Sequence, residues 1–207
     1  MSDDLQLMLN TKEGEHLRLP APARSGQVSV EGAIAGRRSV RSFSPEPLAL
    51  KAVSQLLWSA QGMTAKEGLR AAPSAGACYP LEVYALVEQG LFRYLPAAQA
   101  LLKALAGDRR QALAQACYGQ MFVAEAPLSL IFTAIYERTT SRYGERGLRY
   151  VHIDVGHAAQ NVHLQAEALG LASVPVGAFD DAAVSEALAL PAQEHPLYLV
   201  PIGRPAG

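Results

Sequence analysis

A predicted β-hairpin over residues 81–95 sets the fold class. Leu81–Val87 is an apolar run typical of a strand, and Glu88-Gln89-Gly90 forms a turn into a second strand over Leu91–Leu95. A hairpin joins antiparallel strands, whereas parallel strands need a long crossover connection. Because further strands and helices are interleaved along the chain, we predict an α+β fold, with a mixed, mainly antiparallel β-sheet flanked by helices.

The remaining elements follow from apolar periodicity and capping residues. Strands are predicted over residues 128–135, 171–176 and 197–202, and helices over 29–34, 50–60, 97–106, 109–116, 151–169 and 180–188. The 151–169 helix has an apolar stripe wider than a surface helix needs, so we expect it to be buried on more than one side. Residues 1–27 are polar and contain Pro20, Pro22 and Gly26. They are predicted to be a flexible lead-in to a single domain over residues 28–207.

Composition excludes several classes of protein. The 207 residues suit one domain, and 50% hydrophobic against 18% charged residues excludes global disorder. The net charge of −1 offers no basic surface for nucleic acid, and no apolar stretch is long enough to span a membrane. The start of the chain has no signal-peptide pattern, and Cys78 and Cys117 cannot form a disulfide framework. We expect a cytoplasmic protein without nucleic-acid or membrane partners.

Common catalytic and nucleotide-binding motifs are missing. Neither GxGxxG nor GxxxxGK[ST] occurs, and Ser74 lacks the first glycine of a nucleophile elbow. His152, His157 and His163 are spaced by five and six residues, which does not place them one helical turn apart. The sequence therefore predicts no metal site, and these histidines are interpreted as core or interface residues.

Three short segments remain that could bind a ligand. They are Arg37-Arg38-Ser39-Val40-Arg41, Pro73-Ser74-Ala75-Gly76, and Val174–Phe179 together with Gly203-Arg204. Guanidinium groups bind phosphate in a bidentate manner, and small residues let the backbone approach a flat ligand closely. Each segment has a plainer interpretation, a solvated basic turn or an ordinary loop. Taken singly, they indicate no more than an anion-binding globular domain.

Taken together and in this order, the segments resemble the FMN-dependent nitroreductase family, and within it the SagB-type dehydrogenase branch. The resemblance extends over nearly the whole chain after the lead-in. The matching stretches are residues 37–43, 72–82, 143–150, 156–162, 170–171, 175–179 and 201–204.

The resemblance implies a homodimer with two FMN molecules in its interface and the long buried helix at that interface. Arg37, Ser39 and Arg204 would hold the FMN phosphate, with Arg38 beside them. Arg41 would reach the N1/O2 side of the flavin. Pro73, Ser74 and Ala75 would contact the ring from the partner subunit, and the backbone of Gly177 and Ala178 would face N5 and O4. The implied cofactor-binding set is completed by Pro175, Val176 and Gly203.

The activity implied by the resemblance is hydride transfer through flavin N5, in a ping-pong cycle between NAD(P)H and a small oxidant. A nitro compound, a quinone and an azoline-type ring are the oxidants considered. The protein would supply no catalytic side chain of its own. Two alternatives stay open: a non-redox protein of the same fold that cleaves or stores flavin, and an interaction scaffold whose arginines meet another macromolecule. Gly177 stands where many relatives have Glu, which leaves the backbone N–H but removes any side-chain role.

Overall fold

The computed structural model describes residues 7, 8 and 10–206. Its strands are β1 (His16–Arg18), β2 (Leu81–Val87), β3 (Gly90–Leu95), β4 (Ala100–Ala106), β5 (Leu128–Ala134), β6 (Ala172–Ser173) and β7 (His195–Gly203). They form one seven-stranded sheet in the order β1-β4-β3-β2-β5-β7-β6, and each neighbouring pair is antiparallel. A parallel pairing occurs in the isolated bridge between Ser39 and Ser173. The predicted α+β class with a mainly antiparallel sheet is confirmed.

The helices are α1 (Val30–Gly36), α2 (Leu50–Gln61), α3 (Arg110–Ala116), α4 (Phe122–Glu125), α5 (Glu137–Tyr143), α6 (Arg146–Ala168) and α7 (Asp181–Ala187). Four of them lie close to predicted ones, a fifth begins earlier than predicted, and α4 and α5 were not predicted. The Ser29 hydroxyl caps α1 by accepting from Gly32 N at 3.0 Å, and the Asp180 carboxylate caps α7 by accepting from Ala183 N at 2.8 Å. None of the helices in the described ranges is both long and apolar enough to cross a membrane.

Helices cover both faces of the sheet. On the face covered by α2 and α6, here called the α6 face, the core includes Val83, Ala85, Leu130 and Phe132 with Leu56, Val155 and Val162. On the opposite face, here called the α7 face, the core includes Tyr84, Leu86 and Ile131 with Leu113, Val123 and Val184. Successive residues of a strand point to opposite faces, so β5 contributes to both cores and is buried along its whole length.

Strand β4 replaces a predicted helix. Residues 97–106 are rich in Ala and Leu, which favour a helix locally. In the structure Gln99, at a left-handed φ of 46°, follows a short 3₁₀ turn, and the chain then pairs with β3 from Ala100 to Ala106. The prediction was wrong because this pairing satisfies the backbone groups along β3, which a helix would leave open.

The lead-in is partly ordered against the sheet. Residues 16–18 form β1, which pairs with β4, and the side chains of Leu17 and Leu19 are buried in the α6-face core. The expected loose packing of residues 1–27 is therefore wrong for residues 16–19. Residues 1–6 and 9 lie outside the described residues, and the domain boundary at residue 28 stays a prediction.

Helix α6 begins five residues before the predicted start. Val151, Val155 and Val162 point into the α6-face core, as the apolar stripe predicted. The other side of the helix is open in the single chain, where Ile153 is 47% exposed and Gly156 has free space beside its Cα. Burial on more than one side is therefore not seen in one chain.

Candidate functional site

The two predicted basic segments meet at the β6 edge of the sheet. Ser173 in β6 pairs with β7 on one side and bridges Ser39 on the other. Beyond the end of β7, the Arg204 carbonyl accepts a hydrogen bond from Ser44 N at 2.9 Å. The arginine-rich segment and the Gly-Arg pair near the other end of the chain therefore lie side by side, an arrangement that the family resemblance requires if both are to bind one phosphate.

The guanidinium groups of Arg37 and Arg204 are available to an anion. Arg37 is half-buried, and its Nη1 lies 3.4 Å from Nε2 of His163. The Arg204 side chain is 60% exposed, with Nε 3.6 Å from an Oε2 of the equally exposed Glu46. Ion pairs between exposed groups contribute little to stability, so this contact is easily exchanged for a stronger one with phosphate.

Arg38 has a different role from Arg37. Its Nη1 donates to the carbonyl oxygens of Ala35 at 2.9 Å and of Arg37 at 2.8 Å, which satisfies groups left open at the end of α1. Arg41 is exposed, with its guanidinium carbon 5.8 Å from the ring centroid of Phe122. The Arg38 guanidinium is thus bonded to backbone carbonyl groups of its own segment.

His163 is a site residue that the sequence did not indicate. It is 2% exposed, and its Nδ1 lies 2.6 Å from the Ser173 hydroxyl, while Nε2 faces the Arg37 guanidinium. Burial and the nearby Arg37 charge lower the pKa of His163. A guanidinium only donates, so we assign a neutral ring with its proton on Nδ1, in which Nε2 accepts from Arg37 and fixes its direction.

The segment Pro175–Ala178 leaves the sheet beside β7. Val176 exchanges two hydrogen bonds with Leu199, of 2.8 and 2.9 Å, and the Ala178 carbonyl then accepts from the Gln120 side chain at 2.9 Å. Gly177 and Ala178 are exposed, and neither backbone N–H has a hydrogen-bond partner within residues 10–206. A Cβ at Gly177 would make only ordinary contact with Tyr198. Two adjacent free amides are therefore held in place by Gln120, another residue that the sequence did not indicate.

Gly203 is required by packing. A Cβ at this position would lie 2.8 Å from Cδ of Pro127 and 3.0 Å from Cβ of Phe43. Because Gly203 has no side chain, Phe43 can pack against the end of β7 and bridge Pro205. The intervening Arg204 is thereby held at the β6 edge.

The predicted segment over residues 73–76 is bonded to α6. The Ser74 hydroxyl donates to an Asp154 oxygen at 2.6 Å and accepts from Tyr79 N at 3.0 Å, so it points inward. Pro73 is exposed and Ala75 half-exposed. Asp154 is 4% exposed, and burial raises the pKa of its carboxyl, although the Ser74 hydrogen bond opposes this shift.

One chain does not bring all the predicted site residues together. Ser74 is bonded to α6, on the α6 face, whereas Ala178 is bonded to Gln120 in the α3–α4 connection, on the α7 face. No hydrogen bond within the described residues joins residues 73–75 to the arginine and amide groups at the β6 edge.

Comparison with known proteins identifies the family. A profile described as the Nitroreductase family matches residues 34–204. The chain belongs to this family. A nitroreductase-named protein of Methanocaldococcus jannaschii is 45% identical over 184 residues, which cover 86% of this chain and 92% of that protein. A crystal structure of a nitroreductase-named protein from Ralstonia eutropha has a TM-score of 0.84 at 33% identity, covering 93% of this chain and 90% of that one.

A more distant member is the Bacillus subtilis protein named FMN reductase [NAD(P)H]. It is 26% identical over 183 residues, and the match covers 82% of this chain and 63% of that protein. The prediction of the family and that of an oxidoreductase enzyme are confirmed. The roles of the individual site residues stay predictions.

Replacing Asp154 by Asn is expected to change how stability depends on pH. Because burial raises the pKa of Asp154, the folded protein holds this proton more tightly than the unfolded chain. The free energy of unfolding should then fall as pH rises from about 3.9, the ordinary Asp value, through the raised pKa. Asp154→Asn should remove this fall. Urea unfolding of both proteins across pH 4 to 8 measures it, and parallel profiles would contradict the prediction.

Proposed function

We propose that this nitroreductase-family protein is an FMN-dependent oxidoreductase that transfers hydride from NAD(P)H to a small oxidant. The observation that carries the proposal is the shared location of the available guanidinium groups and the two free amides on the β6–β7 edge. The Bacillus subtilis relative, named for FMN and NAD(P)H, supports the choice of cofactor and electron donor.

At one end of this edge the residues fit a phosphate. Arg37 and Arg204 would bind it, together with the exposed Ser39 hydroxyl. A phosphate monoester carries a charge of about −1.5 to −2 at neutral pH and forms strong charge-assisted hydrogen bonds with guanidinium groups. Arg38 would hold the end of α1 in place rather than bind the phosphate directly.

At the other end the residues fit a flavin ring. Ser173 pairs with Ile202 and Val176 with Leu199, so the two ends lie about 10 Å apart along β7. The free N–H groups of Gly177 and Ala178 would donate to acceptor atoms of the ring. When bound, FMN supplies the carrier that accepts and returns a hydride. The chain's part is to bind and orient, without an acid–base pair of its own.

A homodimer belongs to the proposal because one chain leaves the site incomplete. Residues 73–75 of a second copy would cover the ring, since those of the same chain are bonded to α6 and form no hydrogen bond with the β6 edge in the described residues. Exposed apolar side chains support such a contact, among them Val30 at 66% and Ile153 at 47%. Val30 also lines a cleft of about 650 Å³ between α1, α2 and α6. Soluble monomers rarely leave large apolar patches open to water.

The proposal also names candidate oxidants and a cellular location. A nitro compound, a quinone and an azoline-type ring are the oxidants we propose, the last because of the SagB-type resemblance. Both Cys78 and Cys117 are free thiols, which suits a reducing compartment such as the cytoplasm.

The test is spectroscopic. The purified protein should be yellow, with flavin absorbance near ~450 nm. NAD(P)H should bleach this band under anaerobic conditions, and a nitro compound or a quinone should restore it. A colourless protein that does not bind added FMN would refute a flavin function. Destruction of the flavin without its reduction would instead identify a flavin-cleaving enzyme.

A further inference from the structure

A cluster of arginine and tyrosine side chains lies at the junction of α5 and α6. The guanidinium carbon of Arg142 is 5.4 Å from the ring centroid of Tyr143, and that of Arg146 is 5.9 Å from the ring centroid of Tyr150. The two rings meet edge to face, with centroids 5.2 Å apart. These four side chains form one unit, here called the arginine–tyrosine cluster.

The cluster lies directly against the loop that follows Ser74. Arg142 Nη1 donates to the carbonyl of Gly76 at 3.1 Å, and a Cβ at Gly76 would collide with the Tyr143 hydroxyl. Gly76 is held at a left-handed φ of 60°, a conformation that glycine adopts without strain. Under the proposed function this loop covers the flavin ring of the partner subunit, so the cluster would border the place where the electron donor meets that ring.

The charges of the cluster are not neutralised within the chain. Arg142 and Arg146 are exposed, and neither forms an ion pair with a carboxylate in the described part of the chain. Arg138, on the same stretch, differs because it pairs with Glu82 at 2.6 Å. Stacking on tyrosine restricts the motion of the Arg142 and Arg146 guanidinium groups and leaves N–H donors on each of them unused. They are left to bind an anion from solution.

We propose that the arginine–tyrosine cluster binds the adenosine 2′-phosphate of NADPH, and that it makes NADPH the preferred electron donor over NADH. This inference rests on the proposed function. Guanidinium groups bind phosphate in a bidentate manner, and tyrosine rings offer faces for a purine. Two of each, side by side, suit a phosphate carried on the same ribose as an adenine. NADH lacks this phosphate and keeps the remaining groups.

The first test compares the two electron donors on the flavin-loaded protein. Arg146→Gln should lower kcat/KM for NADPH about tenfold or more, the loss expected for one charge-assisted contact, and change kcat/KM for NADH less than about threefold. Arg142→Gln should act in the same direction. Because Arg142 also holds Gly76, Arg146, which does not contact the loop, gives the cleaner result. Arg146→Lys, which keeps the charge, should recover part of the loss.

Arg109→Gln is the matched control. It removes the same charge from an exposed position that follows β4. Ala106 pairs with Gly90, and Gly90 pairs with Val87 at the far end of β2 from Leu81. The length of β2 therefore separates Arg109 from the 73–77 loop by about 20 Å. This variant should leave the ratio of kcat/KM for the two donors unchanged.

A binding measurement without hydride transfer completes the test. Calorimetry with adenosine 2′,5′-bisphosphate and with 5′-AMP should give at least about tenfold tighter binding of the bisphosphate, and Arg146→Gln should remove this difference. The inference would be overturned if Arg146→Gln lowered kcat/KM equally for NADPH and NADH, or lowered it for neither. Such a result with flavin retained and reduced would leave the proposed function intact, whereas absence of flavin from the wild type would refute the proposed function itself.

Discussion

Replacing Arg37 or Arg204 by Ala is expected to weaken FMN binding roughly tenfold to a hundredfold, because each change removes a charge-assisted contact of about 1.5–3 kcal/mol. Both side chains lie at the β6 edge; Arg37 contacts the His163 ring at 3.4 Å, and Arg204 lies 3.6 Å from the exposed Glu46 carboxylate. Fluorescence titration of the flavin-free protein with FMN measures the dissociation constant. Riboflavin, which lacks the phosphate, should bind all three proteins with similar affinity.

Two further variants separate phosphate binding from charge and from folding. Arg109→Ala removes an equal charge far from this edge and should leave the affinity for FMN unchanged. Arg38→Ala should mainly lower thermal stability, because the Arg38 guanidinium bonds the carbonyl groups at the end of α1. Wild-type affinity for FMN in both the Arg37 and Arg204 variants would refute the phosphate site.

Combining two impaired variants in one dimer is expected to restore activity when FMN is limiting. Arg37→Ala damages the part of the site that a chain provides for its own ligand, and Ala75→Trp damages the part that it provides for its partner. In a mixed dimer one site carries both changes and the other carries neither. After purification by both tags every dimer is mixed, so about half of the sites should be intact. Co-expression with two different affinity tags and an assay of the doubly purified protein measures the recovery.

The control for this experiment uses two changes in the same part of the site. A mixed dimer of Arg37→Ala and Arg204→Ala has one change in each site, so no intact site forms and activity should stay at the level of the single variants. If the Arg37→Ala and Ala75→Trp pair also fails to recover in verified mixed dimers, the site is not shared between two chains.

The fold was predictable where local preference and tertiary pairing agree. The hairpin of β2 and β3, the buried β5 and the caps at Ser29 and Asp180 follow from strong local patterns. The prediction failed at β4, where helix-forming residues are recruited by the neighbouring strand, and at β1, where a polar segment contributes Leu17. At β4 the deciding interaction is the pairing with the preceding strand, and at β1 it joins residues far apart in the sequence; the residue pattern of a single segment contains neither.

The candidate site was predictable as a set of segments but less so in its detail. Residues 37–41 and 203–204 meet as the family resemblance implied, whereas their composition alone indicated only anion binding. That Ser74 points inward depends on Asp154, eighty positions later along the chain. The contact of His163 with Arg37 likewise joins distant positions, and a histidine at this spacing has no pattern of its own. Such partners become visible only when the packing of α6 is known.

The two borders of the sheet restrict how copies of this protein can associate. Strand β1 has three residues and β6 has two, and the bridge from Ser39 covers part of β6. Short, covered borders offer few open hydrogen-bonding groups to a neighbouring strand. Growth into a continuous intermolecular sheet is therefore disfavoured. Any self-association would use helical surfaces, which can form a closed oligomer with a fixed number of subunits.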